Sequence, residues 1–238
     1  MNSISVVIPA YNEEKYISDC LESVLTYAPE NVCEIIVVDN ASTDSTAAIA
    51  SSYPGVTVVH EPKKGLTAAR QRGLISSKGD LLAFVDADSR VHKGWFERIN
   101  KEFSKESNLV CLSGPYDFFD LPHWQRVCVK IFWTYLAYPT YFITKFMAVG
   151  GNFVAKRTAL EQINGFDTSI EFYGEDTDIA RRLHSQGKVR FSPAFFMYTS
   201  GRRLSKQGIF TTAAIYVANY VSESVLHKPV TRTHTDIR

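Results

Sequence analysis

The sequence predicts an α/β fold: a central, mostly parallel β-sheet flanked by helices. Three observations predict it. Short β-rich runs alternate with amphipathic helical stretches through Leu112. The runs Glu34–Val38 and Leu81–Val85 are almost wholly apolar, as befits strands covered on both faces of a parallel sheet. The polar clusters Pro9-Ala10-Tyr11-Asn12-Glu13, Asp39-Asn40-Ala41-Ser42 and Asp86-Ala87-Asp88 each follow such a run. That gathers them at the carboxyl edge of one sheet, where open α/β sheets hold their ligands.

The elements are expected in this order. Ile4–Ile8 is a strand closed by Pro9. Tyr16, Ile17, Cys20, Leu21, Val24 and Leu25 recur on one stripe of a helix. Strand Glu34–Val38 leads into the polar loop Asn40–Thr46, rich in N-cap residues, and a helix over Ala47–Ser52. Strand Val56–Val59, helix Leu66–Ser77 and strand Leu81–Val85 follow, the last running straight into Asp86-Ala87-Asp88. Helix Trp95–Phe103 and strand Leu109–Leu112 complete the regular half. The second half is less periodic. Helix signals run from His123 to Phe146 with an interruption at Pro139. Val149–Val154 reads as a glycine-containing strand, Arg157–Ile163 as a short helix, and Gly174 opens a helix through Ser185. A strand pair is expected around Val189–Phe191 and Phe195–Tyr198, then a Ser-Gly-Arg-Arg loop and a last helix over Ile209–Ser222. No repeat or linker divides the chain, so residues 1–238 are expected to form one domain.

Composition narrows the function. Of 238 residues 45% are hydrophobic and 21% charged, with 13 Gly and 9 Pro, which excludes a disordered, collagen-like or disulfide-scaffold chain. Lys+Arg and Asp+Glu number 26 and 25, too even for a generic nucleic-acid binder. Cys20, Cys33, Cys111 and Cys128 form no CxxC pair and are expected to be buried thiols in a reducing compartment. MNSISVVIPAYNEE lacks the basic start and cleavage site of a secretory signal. Residues 131–144, IFWTYLAYPTYFIT, are uncharged but shorter than the ~20 residues of a membrane span. They are expected to be a buried helix, with an apolar face toward lipid or a lipid-linked substrate as the other reading. Residues 190–238 carry a net charge of about +5, a solvated face or one that meets an anionic ligand or membrane.

Several residues could carry chemistry. Asp86 and Asp88 stand i, i+2 past a buried strand. One carboxylate can reach a ligand while the other faces a divalent cation, and hard oxygens suit Mg²⁺ or Mn²⁺ completed by phosphate and water. A solvated turn is the plainer reading, but carboxylates at a buried strand end are costly unless paired. Glu175, Asp176 and Asp178 occupy the first turn of a helix, where the helix dipole favours acids by about 0.3–1 kcal/mol. Alternatively one of them is a general base. Asp39 is either a turn aspartate or an acceptor for a base or ribose. Arg70, Arg202 and Arg203 offer guanidinium forks suited to diphosphate, whereas Arg72 reads as a solvated surface arginine. The six histidines show no metal-binding spacing.

Taken together, VVIPAYNEEKYISDCLESV, EIIVVDNASTDST, KGLTAARQRG, DLLAFVDADS, GGNFVAKR and GFDTSIEFYGEDTDIARRL resemble the family 2 glycosyltransferases, in that family's order from residue 4 to about residue 186. The resemblance implies a GT-A fold, with a nucleotide-sugar-binding half over 1–114 and an acceptor-binding half over 115–238 that contains an apolar helical insert at 118–146. It implies that Pro9, Ala10, Tyr11, Glu13 and Ala87 flank the nucleotide, Asp39 recognises the base, and Arg70 lies near base and diphosphate. Asp86 contacts ribose or metal and Asp88 ligates Mn²⁺ or Mg²⁺. Gly151, Asn152 and Glu175 line the sugar or acceptor pocket, Arg202 and Arg203 clamp the diphosphate, and Asp176 is the catalytic base of an inverting transfer. The implied partners are a nucleotide-sugar donor, most often UDP-linked, and a saccharide or lipid-linked acceptor in cell-envelope synthesis. The implied location is the cytoplasm, with peripheral contact at the inner membrane face. Two departures stand out. Met197-Tyr198-Thr199-Ser200 replaces the stretch where many relatives carry a histidine near the metal, and no C-terminal membrane helix is expected. A HAD-type phosphohydrolase would need Thr or Val where Arg90 follows the DAD motif, no GxGxxG or GKS/GKT motif supports a dinucleotide or P-loop site, and a silent nucleotide-binding domain would not need both acid clusters.

Overall fold

The structure, a computed structural model, describes residues 1–170 and 173–226. The tail charges at Lys228, Arg232, Asp236 and Arg238 lie outside the described residues. β1 (Ile4–Ala10), α1 (Ile17–Tyr27), β2 (Val32–Asp39), α2 (Thr46–Ser51), β3 (Val56–His60), α3 (Leu66–Ser76), β4 (Leu81–Val85), β5 (Ser89–Arg90), α4 (Trp95–Lys105) and β6 (Leu109–Ser113) follow the expected alternation. Then come β7 (Tyr116–Phe118), α5 (His123–Phe132), a π-helical turn over Trp133–Ala137, α6 (Tyr138–Thr144), β8 (Asn152–Lys156) and α7 (Arg157–Gln162). The last elements are α8 (Glu175–His184), β9 (Lys188–Phe191), β10 (Met197–Thr199), α9 (Arg202–Gln207) and α10 (Ile209–Leu226).

A seven-stranded sheet runs β3-β2-β1-β4-β8-β6-β9, with β8 antiparallel to both neighbours and the other pairings parallel. The predicted mostly parallel α/β sheet is therefore present. Alternation along β1 explains its two-sided burial. Ile4, Val6 and Ile8 join α1 residues Ile17, Cys20, Leu21 and Val24 on one face, while Val7 joins Ile36, Val38 and Phe84 on the other, under α3 and α8. Gly73 lets α3 lie directly on β1, since a Cβ there would come within 2.2 Å of Val7 Cγ1. Each buried Val, Leu or Ile adds about 1.5–3 kcal/mol.

A second sheet, β5-β10-β7, positions the site. It pairs Thr199 with Ser89 and with Phe118, so three distant segments meet beside Asp88.

Several expectations are corrected here. The irregularity in the aromatic helix precedes Pro139. It is the π turn, and Pro139 sits in the first turn of α6, where a missing N–H is tolerated. Gly150 and Gly151 lie before β8 rather than inside a strand. β9 and β10 do not pair; they belong to different sheets. The Arg202-Arg203 stretch is helical, not a loop. Cys20 and Cys111 are buried, but Cys33 and Cys128 are exposed, one near the start of β2 and one on the outer side of α5. The segment 131–144 is not buried as a whole: Ile131, Tyr135, Leu136, Phe142 and Ile143 face outward.

Asn152, expected in the sugar pocket, is fully buried. Its Oδ1 accepts from Trp95 Nε1 at 3.0 Å, and its Nδ2 donates to the carbonyls of Gly114 at 3.1 Å and Phe195 at 2.8 Å. It ties β8 to α4 and to the segments that lead out of β6 and into β10. Asn152→Ala leaves those groups buried without partners, so a loss of roughly 2–4 kcal/mol is expected in urea denaturation; an unchanged midpoint and slope would contradict this role.

Candidate active site

The ends of β1 and β2 build one side of the site. Pro9 and Ala10 are buried in β1 and form its floor. Asn12 (φ 51°) and Ala41 (φ 60°) turn the two loops toward each other in left-handed conformations. Asn12 N–H donates to Ser42 Oγ at 3.0 Å, and Thr43 N–H donates to Asn12 Oδ1 at 2.8 Å. Tyr11, just past β1, receives a hydrogen bond from Lys64 Nζ at 2.7 Å, and the same ammonium lies 3.9 Å from its ring centroid. Asp39 is buried, with Ser42 N–H at 3.2 Å on one oxygen and His60 Nδ1 at 3.1 Å from the other. Asn40 pins the loop that carries Lys64 by donating to the carbonyls of Glu61 and Lys63 and accepting from Gly65 N–H.

The first acid cluster centres on Arg202. Its guanidinium forks onto Glu13, Nη1 to Oε2 at 2.8 Å, reaches Asp88 Oδ2 at 2.9 Å and stacks 4.9 Å from the Tyr16 ring centroid. Thr199 Oγ1 approaches the other Asp88 oxygen at 3.5 Å and itself receives a bond from Ser89 Oγ at 2.9 Å. Asp120 holds the loop before α9 by accepting from Ser200 Oγ and Gly201 N–H.

The second cluster centres on Arg70, which is fully buried. Its Nη2 lies 3.1 Å from Asp86 Oδ1 and its Nη1 2.5 Å from Glu175 Oε1. Tyr116 donates its hydroxyl to Asp86 Oδ2 at 3.0 Å. The two glycines before β8 make room for this cluster. A Cβ on Gly151 would sit 2.1 Å from the Asp86 carboxylate, and one on Gly150 2.4 Å from Glu175 Oε1. Burial pushes the Glu175 carboxyl up to about 7; Arg70 pulls it back and Asp176 adds to the rise. Glu175 Oε2 is buried with no hydrogen-bond partner.

The acids of α8 divide by partner. Glu175 belongs to Arg70. Asp178 is buried between Arg181 and Arg182, at 2.8 Å and 2.7 Å, and is structural. Asp176 accepts from the N–H and hydroxyl of Thr177 and, among the described residues, forms no ion pair. Burial raises its pKa above the ordinary aspartate value, with Arg70 opposing the rise. Tyr173 and Tyr216 stack edge to face at 5.9 Å beside this helix, and Arg203 Nη1 reaches the Tyr173 hydroxyl at 3.4 Å.

The sequence-predicted residues Glu13, Arg70, Asp86, Asp88, Gly151, Glu175, Asp176, Arg202 and Arg203 thus gather around two linked clusters. Ala87 is packed in the core, and Arg70 holds two carboxylates rather than presenting an open fork. Tyr116, Asp120, His60 and Lys64 were not foreseen. No spacing marks Tyr116 or Asp120, whose partners lie 30 and 80 residues away, whereas a basic loop following a strand was a signal for Lys64. Asp86 and Asp88 have the hard oxygens a divalent cation needs, but no group of three His, Cys, Asp or Glu could hold an ion among the described residues. The donor set therefore fits a cation completed by a ligand's oxygens and water, not one caged by protein alone.

Comparison with known proteins agrees with this geometry. The pattern of glycosyl transferase family 2 matches residues 5–164, and that of the N-terminal domain of galactosyltransferase matches residues 134–202. The glycosyltransferase AglE of Haloferax volcanii is 39% identical over 101 residues, 40% of this chain and 33% of that one. Of the first three curated relatives it matches, the chain spans 35%, 17% and 33% of the length. Among solved structures, a mannosyltransferase from Pyrobaculum calidifontis in complex with GDP-Man and Mn²⁺ superposes with a TM-score of 0.69 at 20% identity, covering 95% of this chain and 64% of that one. Glucosyl-3-phosphoglycerate synthase from Mycobacterium tuberculosis, in complex with Mn²⁺, UDP-glucose and phosphoglyceric acid, gives 0.64 at 21% identity, covering 94% and 80%. The fold is that of the GT-A glycosyltransferases.

A carboxyl held near 7 against an ordinary 4.5 stabilises the fold fully below pH 4.5 and loses that contribution as pH rises through about 7. Stability is expected to fall by up to about 3 kcal/mol between pH 5 and 8 through this group. Glu175→Gln is expected to flatten that slope in urea titrations at each pH; an identical slope in variant and wild type would rule Glu175 out as its source.

Proposed function

The chain belongs to glycosyl transferase family 2, and on that premise we propose that it is an inverting, metal-dependent transferase. It moves a sugar from a nucleotide-diphospho-sugar, UDP-linked, to a hydroxyl of a saccharide or lipid-linked acceptor in cell-envelope synthesis. One observation carries the reading. Of the acids gathered at the carboxyl edge of the sheet, Glu13, Asp86, Asp88 and Glu175 are each ion-paired with an arginine and Asp39 lies against His60, whereas Asp176, though Arg70 is near enough to oppose the rise of its pKa, forms no ion pair among the described residues. It is the carboxylate free to take a proton.

Each remaining group has a matching task. Tyr11, backed by Lys64, offers a ring face to the base, and buried Asp39 offers an acceptor to its N–H groups. Arg202 and Arg203 stand where diphosphate oxygens can replace their present partners. Asp86 and Asp88 would hold a divalent cation, which when bound would neutralise charge on the departing nucleoside diphosphate. Glu175, fixed by Arg70, orients the sugar or acceptor through its unpartnered Oε2. Asp176 accepts the acceptor's hydroxyl proton as that oxygen attacks the anomeric carbon from the face opposite the leaving group. The donors present together with Mn²⁺ in the neighbour structures (GDP-Man and UDP-glucose) support this reading. A phosphohydrolase with Asp86 as nucleophile is disfavoured, because Arg90 stands where its motif needs Thr or Val.

Asp176→Asn is expected to keep UDP binding within about threefold and to lower transfer by about 10²–10⁴-fold; equal turnover would remove Asp176 as the base. In the wild type the acid limb of kcat is expected above the ordinary aspartate pKa of 3.8, because burial raises the group. Asp88→Ala is expected to weaken UDP binding in Mn²⁺ and leave binding in EDTA unchanged, measured by calorimetry. Unchanged affinity in both conditions would take the cation off Asp88.

A further inference from the structure

The described backbone stays right-handed helical from His123 to Thr144 through the π turn, so α5, the turn and α6 form one rod. Neither α5 nor α6 contains a buried residue. The inner side of the rod packs through Phe132, Trp133, Tyr138 and Tyr141 onto Met147, Val149 and Phe191, with Trp133 stacked on Phe191 at 5.6 Å. The outer side carries Trp124, Val127, Ile131, Tyr135, Leu136 and Phe142 in the open, and Ile143 is 82% exposed. α10 extends this surface. Its Tyr220 hydroxyl meets Thr144 Oγ1 at 2.9 Å, and its Val217 and Val221 are also exposed. An apolar surface of this extent on a water-facing protein marks a contact site.

The charges choose the occupant. From His123 to Lys145 the chain has no Asp or Glu and three Lys or Arg, of which Arg126 is paired with Asp117. Lys130 and Lys145 are exposed on the rod, and Lys145 Nζ lies 6.0 Å from the ring centroid of outward-facing Phe142. A twofold contact with a second copy would set this basic rim against itself, because an isologous interface pairs each patch with its own image. An anionic bilayer answers both features. Apolar and aromatic side chains enter the boundary between headgroups and acyl chains while lysines stay at the headgroup level. No helix among the described residues is long and apolar enough to cross a membrane, so the mode is in-plane.

We propose that the outer face of the 123–144 rod, with the adjoining side of α10, binds an anionic lipid surface. The inner side shares its apolar cluster with Tyr116, whose hydroxyl holds Asp86, so this places the bilayer on the far side of that cluster from the carboxylates. The proposal goes beyond the transfer reading and does not depend on it, since binding is read without donor.

The test is co-sedimentation of the full chain with phosphatidylcholine vesicles and with phosphatidylcholine–phosphatidylglycerol vesicles, alongside light scattering of the free protein. The expected result is pelleting with the anionic vesicles, weaker with phosphatidylcholine alone and weakened by salt. Leu136→Ser/Phe142→Ser/Ile143→Ser is expected to lower partitioning at least about tenfold, since three apolar side chains no longer leave water on binding. Lys130→Glu/Lys145→Glu is expected to lower it on anionic vesicles alone. Asp176→Asn is expected to pellet like the wild type, which separates this proposal from the assignment of the base. A blue shift in emission on adding anionic vesicles, lost in Trp124→Phe, reads the same contact without perturbing the rest of the face. Wild type that stays in the supernatant, a triple variant that pellets unchanged, or a wild-type dimer that the triple variant turns into a monomer would each overturn the proposal.

Discussion

The site depends on one buried cation. Arg70 leaves α3 and reaches the ends of two other elements, Asp86 past β4 and Glu175 at the start of α8. Two carboxylates in this enclosed place would repel each other and resist ionisation; a guanidinium between them allows both to stay close. A buried pair of this kind is weak evidence for net stability, because desolvation offsets much of the attraction, but removing one partner strands the others at a cost of about 3–5 kcal/mol. The arrangement is better understood as geometry. It fixes α8 relative to the sheet and leaves Asp176, the next residue, without an ion pair among the described residues.

Arg202 does for Asp88 what Arg70 does for Asp86. It reaches back across the chain to Glu13 and Asp88 and rests on Tyr16. Here the burial is shallower and the partners lie on loops and a short helix, which is why the proposed diphosphate site is placed at this clamp and not at Arg70. The small sheet around β10 makes this clamp possible by bringing Thr199 and the α9 start alongside Ser89. One deeply buried arginine and one shallower arginine divide the work of holding four carboxylates.

The regular half was legible because its signals are local. Apolar runs, an amphipathic stripe and polar strand ends are each read within ten residues, and the carboxyl-edge rule then brings Tyr11, Asp39 and Asp86 together without any distance being known. The second half was harder for physical reasons. Pro139 reads as a break, yet the chain stays helical there and the irregularity is the π segment one turn earlier. Asn152 looks like a pocket residue beside two glycines, but a full set of buried partners holds it behind the pocket. Tyr116 and Asp120 act through contacts 30 and 80 residues away, and no periodicity encodes such pairings. The outward face of residues 131–144 was undecidable from apolarity alone, because a buried helix and a lipid-facing one have the same composition.

The central claim is that acids distant in sequence converge on one donor, with Asp176 poised toward the incoming hydroxyl. The most direct measurement is a crystal structure of the chain with Mn²⁺ and a non-hydrolysable UDP-sugar. The expected result is diphosphate and cation against Asp88, Arg202 drawn off that carboxylate, Arg70 unmoved between Asp86 and Glu175, and the anomeric carbon open toward Asp176. A donor seated away from Asp88, or an anomeric carbon whose open face points away from α8, would contradict it.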